Sequence, residues 1–176
     1  MKKIIVFFSL LFFYTSAFAI SQKQLELLQI VRDVAKLTPC KNGKTYPDTL
    51  AAICLRESSA GKNLIGDFHK NTPITEASLG VMQIKVSTVR YVALYTKKLK
   101  WTQKKSDKQI ANLLFSNNRF SATVAANYFR ILIDYRKTYF YAVSGYNGGY
   151  YNYTYYKKII KDLRYIQYFV KKGVLT

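Results

Sequence analysis

An all-α fold in one domain is predicted by three features of this sequence: apolar residues recurring at intervals of three and four, two Ser-x-x-Gln capping boxes, and little strand-like alternation. The 176 residues and 49% hydrophobic content suit a single packed core. Three prolines and eight glycines are scattered along the chain, so no linker divides it, and there is no internal repeat.

The first residues stand apart from that core. Lys2 and Lys3 make a basic start, Ile4 to Phe13 is almost wholly apolar, and Ala17-Phe18-Ala19 has the small-x-small form of a cleavage site. This pattern predicts a signal peptide over residues 1–19, cut after Ala19, and a mature domain over 20–176 in the periplasm or outside the cell. The apolar run is short for a bilayer and no stop-transfer pattern follows, so no stable membrane insertion is expected after cleavage.

The helices follow in order. Ser21 and Gln24 form a capping box ahead of Leu25, Leu28, Val31 and Ala35, and Thr38-Pro39 stops that helix. A second helix begins near Asp48 and meets Gly61 as its expected C-terminal cap. A polar loop carries Asp67, His69, Pro73 and Glu76, and leads to the apolar stretch Gly80-Val81-Met82-Gln83-Ile84. Ser87 is the expected cap of a helix through Val89 to Tyr95. Ser106 and Gln109, the second capping box, open a short helix through Ile110, Leu113 and Leu114, and Phe120, Val124, Tyr128, Ile131, Leu132 and Tyr135 mark a longer one. Tyr139 to Ser144 reads as a helix broken by Gly145-Tyr146-Asn147-Gly148-Gly149. Tyr155 to Lys172 closes the chain, with Ile159, Leu163, Ile166 and Val170 facing in.

Charge narrows the partners. Lys and Arg number 28 against nine Asp and Glu, a net charge of +19, and removal of Lys2 and Lys3 barely changes it. Nucleic acid, anionic membrane and anionic wall polymer could each answer such a charge; export argues against nucleic acid and favours the wall. One His and two Cys fall short of a zinc or iron-sulfur ligand set, so neither metal nor cofactor is expected. In an oxidising compartment Cys40 and Cys54 are expected to bridge, closing a short loop worth roughly 3 kcal/mol at best.

Glu57 is the candidate for chemistry, the alternative from the residues alone being a solvent-exposed Glu paired with a neighbouring Lys. It shares a stripe with Leu50, Ile53 and Cys54 at i, i+3, i+4 and i+7, so the helix aims a carboxyl inward. Burial and the negative end of the helix dipole both oppose its ionisation. A carboxylic acid kept protonated near neutral pH suits general acid catalysis of glycosidic cleavage.

Glu57-Ser58 at a helix end, Gly80-Val81-Met82-Gln83-Ile84 after a loop, and Gly145-Tyr146-Asn147-Gly148-Gly149 after further helices resemble the ordered motifs of the soluble-type lytic transglycosylases. That family writes them roughly as Glu-Ser, Gly-Leu-Met-Gln and Ala-Tyr-Asn-Ala-Gly, and the resemblance covers Leu50 to Gly149. It implies a lysozyme-like fold of the goose type. It also implies cleavage between N-acetylmuramic acid and N-acetylglucosamine in peptidoglycan, giving 1,6-anhydro ends, with Glu57 as the single acid and base. By position, Ser58, Met82 and Gln83 would line the sugar cleft, Tyr146 would hydrogen-bond near the Glu57 carboxyl, and Asn147 would hold the turn or an acetamido group. Val81, Gly145 and Gly148 depart from the pattern, and the added glycines are expected to loosen the turn.

A lysozyme-like hydrolase needs a second carboxylate, for which Asp67 is the candidate kept open. Glu26, Asp33, Asp107, Asp134 and Asp162 lie in segments read as helical, where caps and solvated faces account for them. His69 reads as a surface-loop residue. A non-catalytic cationic wall-binding protein is the alternative from another class, and retention of Glu57 on a buried stripe speaks against it.

Overall fold

The computed structural model describes residues 20–176; the predicted signal peptide, residues 1–19, lies outside the described residues. The fold is mainly α-helical and lysozyme-like. Seven α-helices are α1 (Gln22–Lys36), α2 (Pro47–Ser58), α3 (Val86–Tyr95), α4 (Asp107–Ser116), α5 (Asn118–Arg136), α6 (Tyr139–Tyr146) and α7 (Tyr153–Lys171). Strand structure among the described residues is slight: β1 (Ile65–Gly66) pairs antiparallel with β2 (Ser78–Leu79), and Leu79 also bridges Ile84.

Helix α2 is central, packed between α1 and α7. Leu50, Ala51, Ala52, Ile53 and Cys54 are all buried, so this helix is enclosed on nearly every side rather than on one stripe. Two ion pairs fix its neighbours. Buried Arg32 of α1 binds Asp48 in the first turn of α2, where the helix dipole favours an acid. Near its other end Arg56 grips Asp162 of α7 through Nε and Nη2 at 2.7 and 2.8 Å. This fork holds α7 against the turn of α2 that carries Glu57.

Both expected capping boxes are formed. Ser21 accepts from the Gln24 backbone, Ser106 from that of Gln109, and each glutamine side chain returns to the cap backbone. Gln24 does more than cap: its side-chain amide donates to the Ser59 carbonyl at 2.8 Å, tying α1 to the end of α2. That end differs from expectation. Ser59, Ala60 and Gly61 have φ of 52°, 51° and 87°, so the left-handed cap falls on Ser59 and Gly61 completes a run of three. Ser87 does not cap α3, which starts two residues earlier than that cap implies, with Lys85 as its cap directly after the Leu79–Ile84 bridge. Helix α6 continues through Gly145 to Tyr146 instead of breaking before the glycine. The closing helix has the predicted inner face, with Ile159 and Ile166 buried and Leu163 and Val170 packed at its margin.

The expected disulfide is absent. Cys40 and Cys54 are separate, buried free thiols. The Cys54 thiol donates to the Val81 carbonyl at 3.4 Å inside the core, whereas Cys40 sits beside Tyr46 and Asp134 where α5 meets the α1–α2 connection. Burial raises both thiols, Cys40 to about 11 and Cys54 to about 12.

Candidate active site

Glu57, the penultimate residue of α2, opens into a cavity of about 490 Å³. Asp67, Gln83, Tyr128, Tyr146 and Asn147 stand around it, with Gly66, Ser78, Ile84, Lys85, Thr88 and Gly148 completing the wall. The Glu57 carboxyl accepts a hydrogen bond of 2.5 Å from the Tyr155 hydroxyl. Burial raises its pKa above the ordinary carboxylate value. Asp67 adds to the rise, while the Tyr155 hydrogen bond and Arg56 oppose it. Burial also drives the Tyr146 and Tyr155 phenols far above their usual range, so both stay neutral donors.

The three motif segments are joined at one turn, residues 80–84. The Ser58 hydroxyl lies 2.7 Å from the Val81 carbonyl and 3.1 Å from that of Cys54, and it accepts from Gly61 N–H at 2.8 Å. The Tyr146 hydroxyl donates to the Met82 carbonyl at 3.0 Å. Successive carbonyls of the turn are thus held from the Glu57 side by Ser58 and from the α6 side by Tyr146. The next residue, Gln83, takes φ of 49° and turns into the cavity. Its side-chain amide donates to Gly80 and Asn63 carbonyls at 2.9 and 3.2 Å, which leaves the amide oxygen lying over Gly66.

This arrangement corrects three expected roles. Ser58 is fully buried and ties segments together, so it does not line the cleft. Met82 is fully buried as well, a core residue contributing its carbonyl rather than an apolar wall. Tyr146 does border the cavity, but its hydroxyl is committed to Met82; the partner of Glu57 is Tyr155, which the sequence reading missed. A signal for Tyr155 existed, since it stands four residues before Ile159 on the inward stripe of α7. Gln83 and Asn147 are in the cavity as expected. Asn147 accepts from the Asn152 side chain at 3.0 Å, and Asn152 caps α7 by accepting from Tyr155 N–H at 2.9 Å, so the loop beside the cavity is tied to the helix that supplies Tyr155. His69 is exposed in the loop after β1 and takes no part in the cavity.

Of the two glycines that depart from the family pattern, Gly145 does not loosen the turn. A Cβ on Gly145 would lie 2.6 Å from the Arg136 guanidinium carbon. Arg136 uses that space to donate to the Tyr141 and Gly149 carbonyls at 3.0 and 2.7 Å, which pins the loop beyond α6. Gly148 has φ of 85°, a conformation glycine enters without steric cost.

Among the described residues Asp67 is the one other carboxylate on the cavity wall, and Ser78 donates to it at 3.1 Å. It sits at φ of 49° at the end of β1 and is exposed. Neighbouring cations are Lys85 on the cavity wall and Arg56, which is engaged with Asp162. The arrangement supplies one partly buried carboxyl, raised in pKa and with a fixed hydroxyl donor, in a cleft open enough for an extended polar ligand.

A family model described as the transglycosylase SLT domain matches residues 38–169. No curated protein and no solved structure matches the chain.

Proposed function

The chain belongs to the transglycosylase SLT family, and on that premise we propose that it cleaves the β-1,4 bond between N-acetylmuramic acid and N-acetylglucosamine in peptidoglycan without water as nucleophile. Glu57 first protonates the leaving O4 as the C1–O4 bond breaks. The resulting carboxylate then takes the proton of the muramic C6 hydroxyl as O6 closes on C1, so the carboxyl is regenerated and a 1,6-anhydro end is left. The observation that carries this reading is the Glu57 carboxyl itself, raised in pKa by burial and held by Tyr155 at the wall of the cavity. Gln83 and Asn147 offer amide groups to acetamido and hydroxyl substituents of the sugars. In this reading the protein is exported and meets its substrate in the periplasm or outside the cell.

The two neighbours of Glu57 act on its proton in opposite senses, which gives a signed test. Glu57 must be protonated to begin the reaction, so the alkaline limb of kcat/KM follows its pKa. Tyr155→Phe removes a hydrogen bond that favours the charged form and is expected to move that limb to higher pH. Asp67→Asn removes a negative neighbour and is expected to move it to lower pH. PH–rate profiles of the two variants check both signs, and shifts in the same direction would contradict the assignment.

A lysozyme-like hydrolase is the second reading, favoured by one observation: Asp67 shares the cavity with Glu57. There Asp67 would be required for turnover rather than for tuning. Asp67→Asn then separates the readings, since retained activity with a shifted pH limb belongs to the single-carboxyl mechanism and loss by ~10²-fold or more belongs to the hydrolase.

A further inference from the structure

Helix α7 presents two unlike faces. The inner one carries Tyr155 to Glu57 and buries Ile159 and Ile166, and the sole acid of the helix, Asp162, is engaged with Arg56. The outer one is basic throughout. Lys157, Lys158, Lys161, Arg164, Lys171 and Lys172 are all exposed, and at about 100° per residue they fall, together with Tyr153 and Tyr168, within one sector of about 140°. None of the six cations forms an ion pair with a carboxylate among the described residues. The row runs about 22 Å from Lys157 to Lys172.

The tyrosines are set among these charges. Lys157 Nζ lies 4.6 Å from the centroid of the Tyr153 ring and Lys172 Nζ 5.8 Å from that of Tyr168, and the two rings are 50% and 54% exposed. A tyrosine with an apolar body and a polar tip suits the headgroup level of a bilayer, and lysines beside it supply attraction to anionic lipid. Shape points the same way. The face is the outer ridge of a helix, and none of its residues borders the Glu57 cavity. A single polymer strand is gripped best in a groove, whereas charges along a ridge meet a plane over their whole length. No described helix is long and apolar enough to cross a membrane, and the apolar side of α7 is spent against α2, so contact is made by the charged side at the surface.

We propose that the outer face of α7 docks the protein on the surface of an anionic phospholipid bilayer, with its six cations against lipid phosphates and the Tyr153 and Tyr168 rings at headgroup level. Charge complementarity and the interleaved tyrosines select the bilayer over a wall polymer. The face uses no residue of the Glu57 cavity, so the docking is independent of the cleavage reading.

The test is flotation of residues 20–176 with phosphatidylcholine vesicles lacking or containing phosphatidylglycerol, beside sedimentation with purified peptidoglycan. Binding is expected to be at least about tenfold tighter to the phosphatidylglycerol vesicles and to weaken with added salt. Lys157→Gln/Lys161→Gln/Lys172→Gln is expected to lower it about a hundredfold. Lys97→Gln/Lys100→Gln/Lys104→Gln removes the same charge from exposed positions between α3 and α4 and is expected to lower it by less than about threefold. Tyr153→Ser/Tyr168→Ser is expected to weaken vesicle binding about fivefold and to leave sedimentation with peptidoglycan unchanged. Equal losses from the two lysine sets would mean that net charge alone acts, and a loss confined to peptidoglycan would assign the face to the wall. Either result, or equal binding to both kinds of vesicle, would overturn the proposal. Vesicle binding of the expected pattern by a protein that releases no products from peptidoglycan would refute the cleavage reading and leave the docking face standing.

Discussion

Glu57→Gln is expected to lower peptidoglycan cleavage by ~10²- to 10⁴-fold, because the amide keeps the shape of the side chain and can neither give a proton to O4 nor take one from O6. The same change is expected to stabilise the fold at neutral pH. The native-state pKa of Glu57 is raised, so the stability that its neutral form contributes is full below the unfolded carboxyl pKa and is lost as pH rises through the folded one. Gln cannot ionise and avoids that loss, while its amide oxygen still accepts from Tyr155. Thermal midpoints of parent and variant should therefore coincide in acid and separate as pH rises, with the variant the higher. A variant that melts lower than the parent across the whole range would contradict a carboxyl whose pKa burial raises.

The second large effect is structural. Gly80→Ala is expected to destabilise the protein by about 3–5 kcal/mol and to abolish cleavage with it, as read from urea midpoints and activity. Gly80 has φ of 71°, its N–H donates to the Leu64 carbonyl at 2.8 Å, and an added Cβ would strike the backbone carbonyl oxygen of Leu114 at the end of α4. Backbone on both sides cannot give way cheaply. The turn that Ser58 and Tyr146 hold would have to move, and Gln83 with it. Gly148→Ala is the matched control: its φ is also positive, at 85°, yet nothing lies within 4 Å of the new Cβ, so about 1–2 kcal/mol of backbone cost is expected. Equal losses for the two glycines would mean that backbone conformation alone, and not the contact with α4, accounts for Gly80.

These contrasts show which features local sequence can carry. Ser21 with Gln24 and Ser106 with Gln109 act within one helical turn, and both boxes were legible because everything they need lies three residues away. The inward aim of Glu57 was legible for the same reason, since its stripe is set by helical spacing. Ser58, Met82 and Tyr146 were found as members of the site while their roles were misplaced. Each acts through a carbonyl or hydroxyl of another segment, and which carbonyl a buried hydroxyl meets depends on how the 80–84 turn packs between α2 and α6. Tyr155 lies 98 residues from Glu57 along the chain, and it reaches the carboxyl because α7 packs on α2, through buried Ile159 and Ile166 and the Arg56–Asp162 fork. Spacing alone was equally silent on Cys40 and Cys54, whose side chains point into different parts of the core. The added glycines of the third motif were read as freedom, and at Gly145 the Arg136 guanidinium fills the space the missing side chain leaves.

The central claim is that one carboxyl performs both proton transfers with no water added. Mass analysis of the products released from purified peptidoglycan by residues 20–176 tests it most directly. The account predicts muramic ends in the 1,6-anhydro form; products heavier by one water, carrying reducing ends, would contradict it and transfer the second role to Asp67.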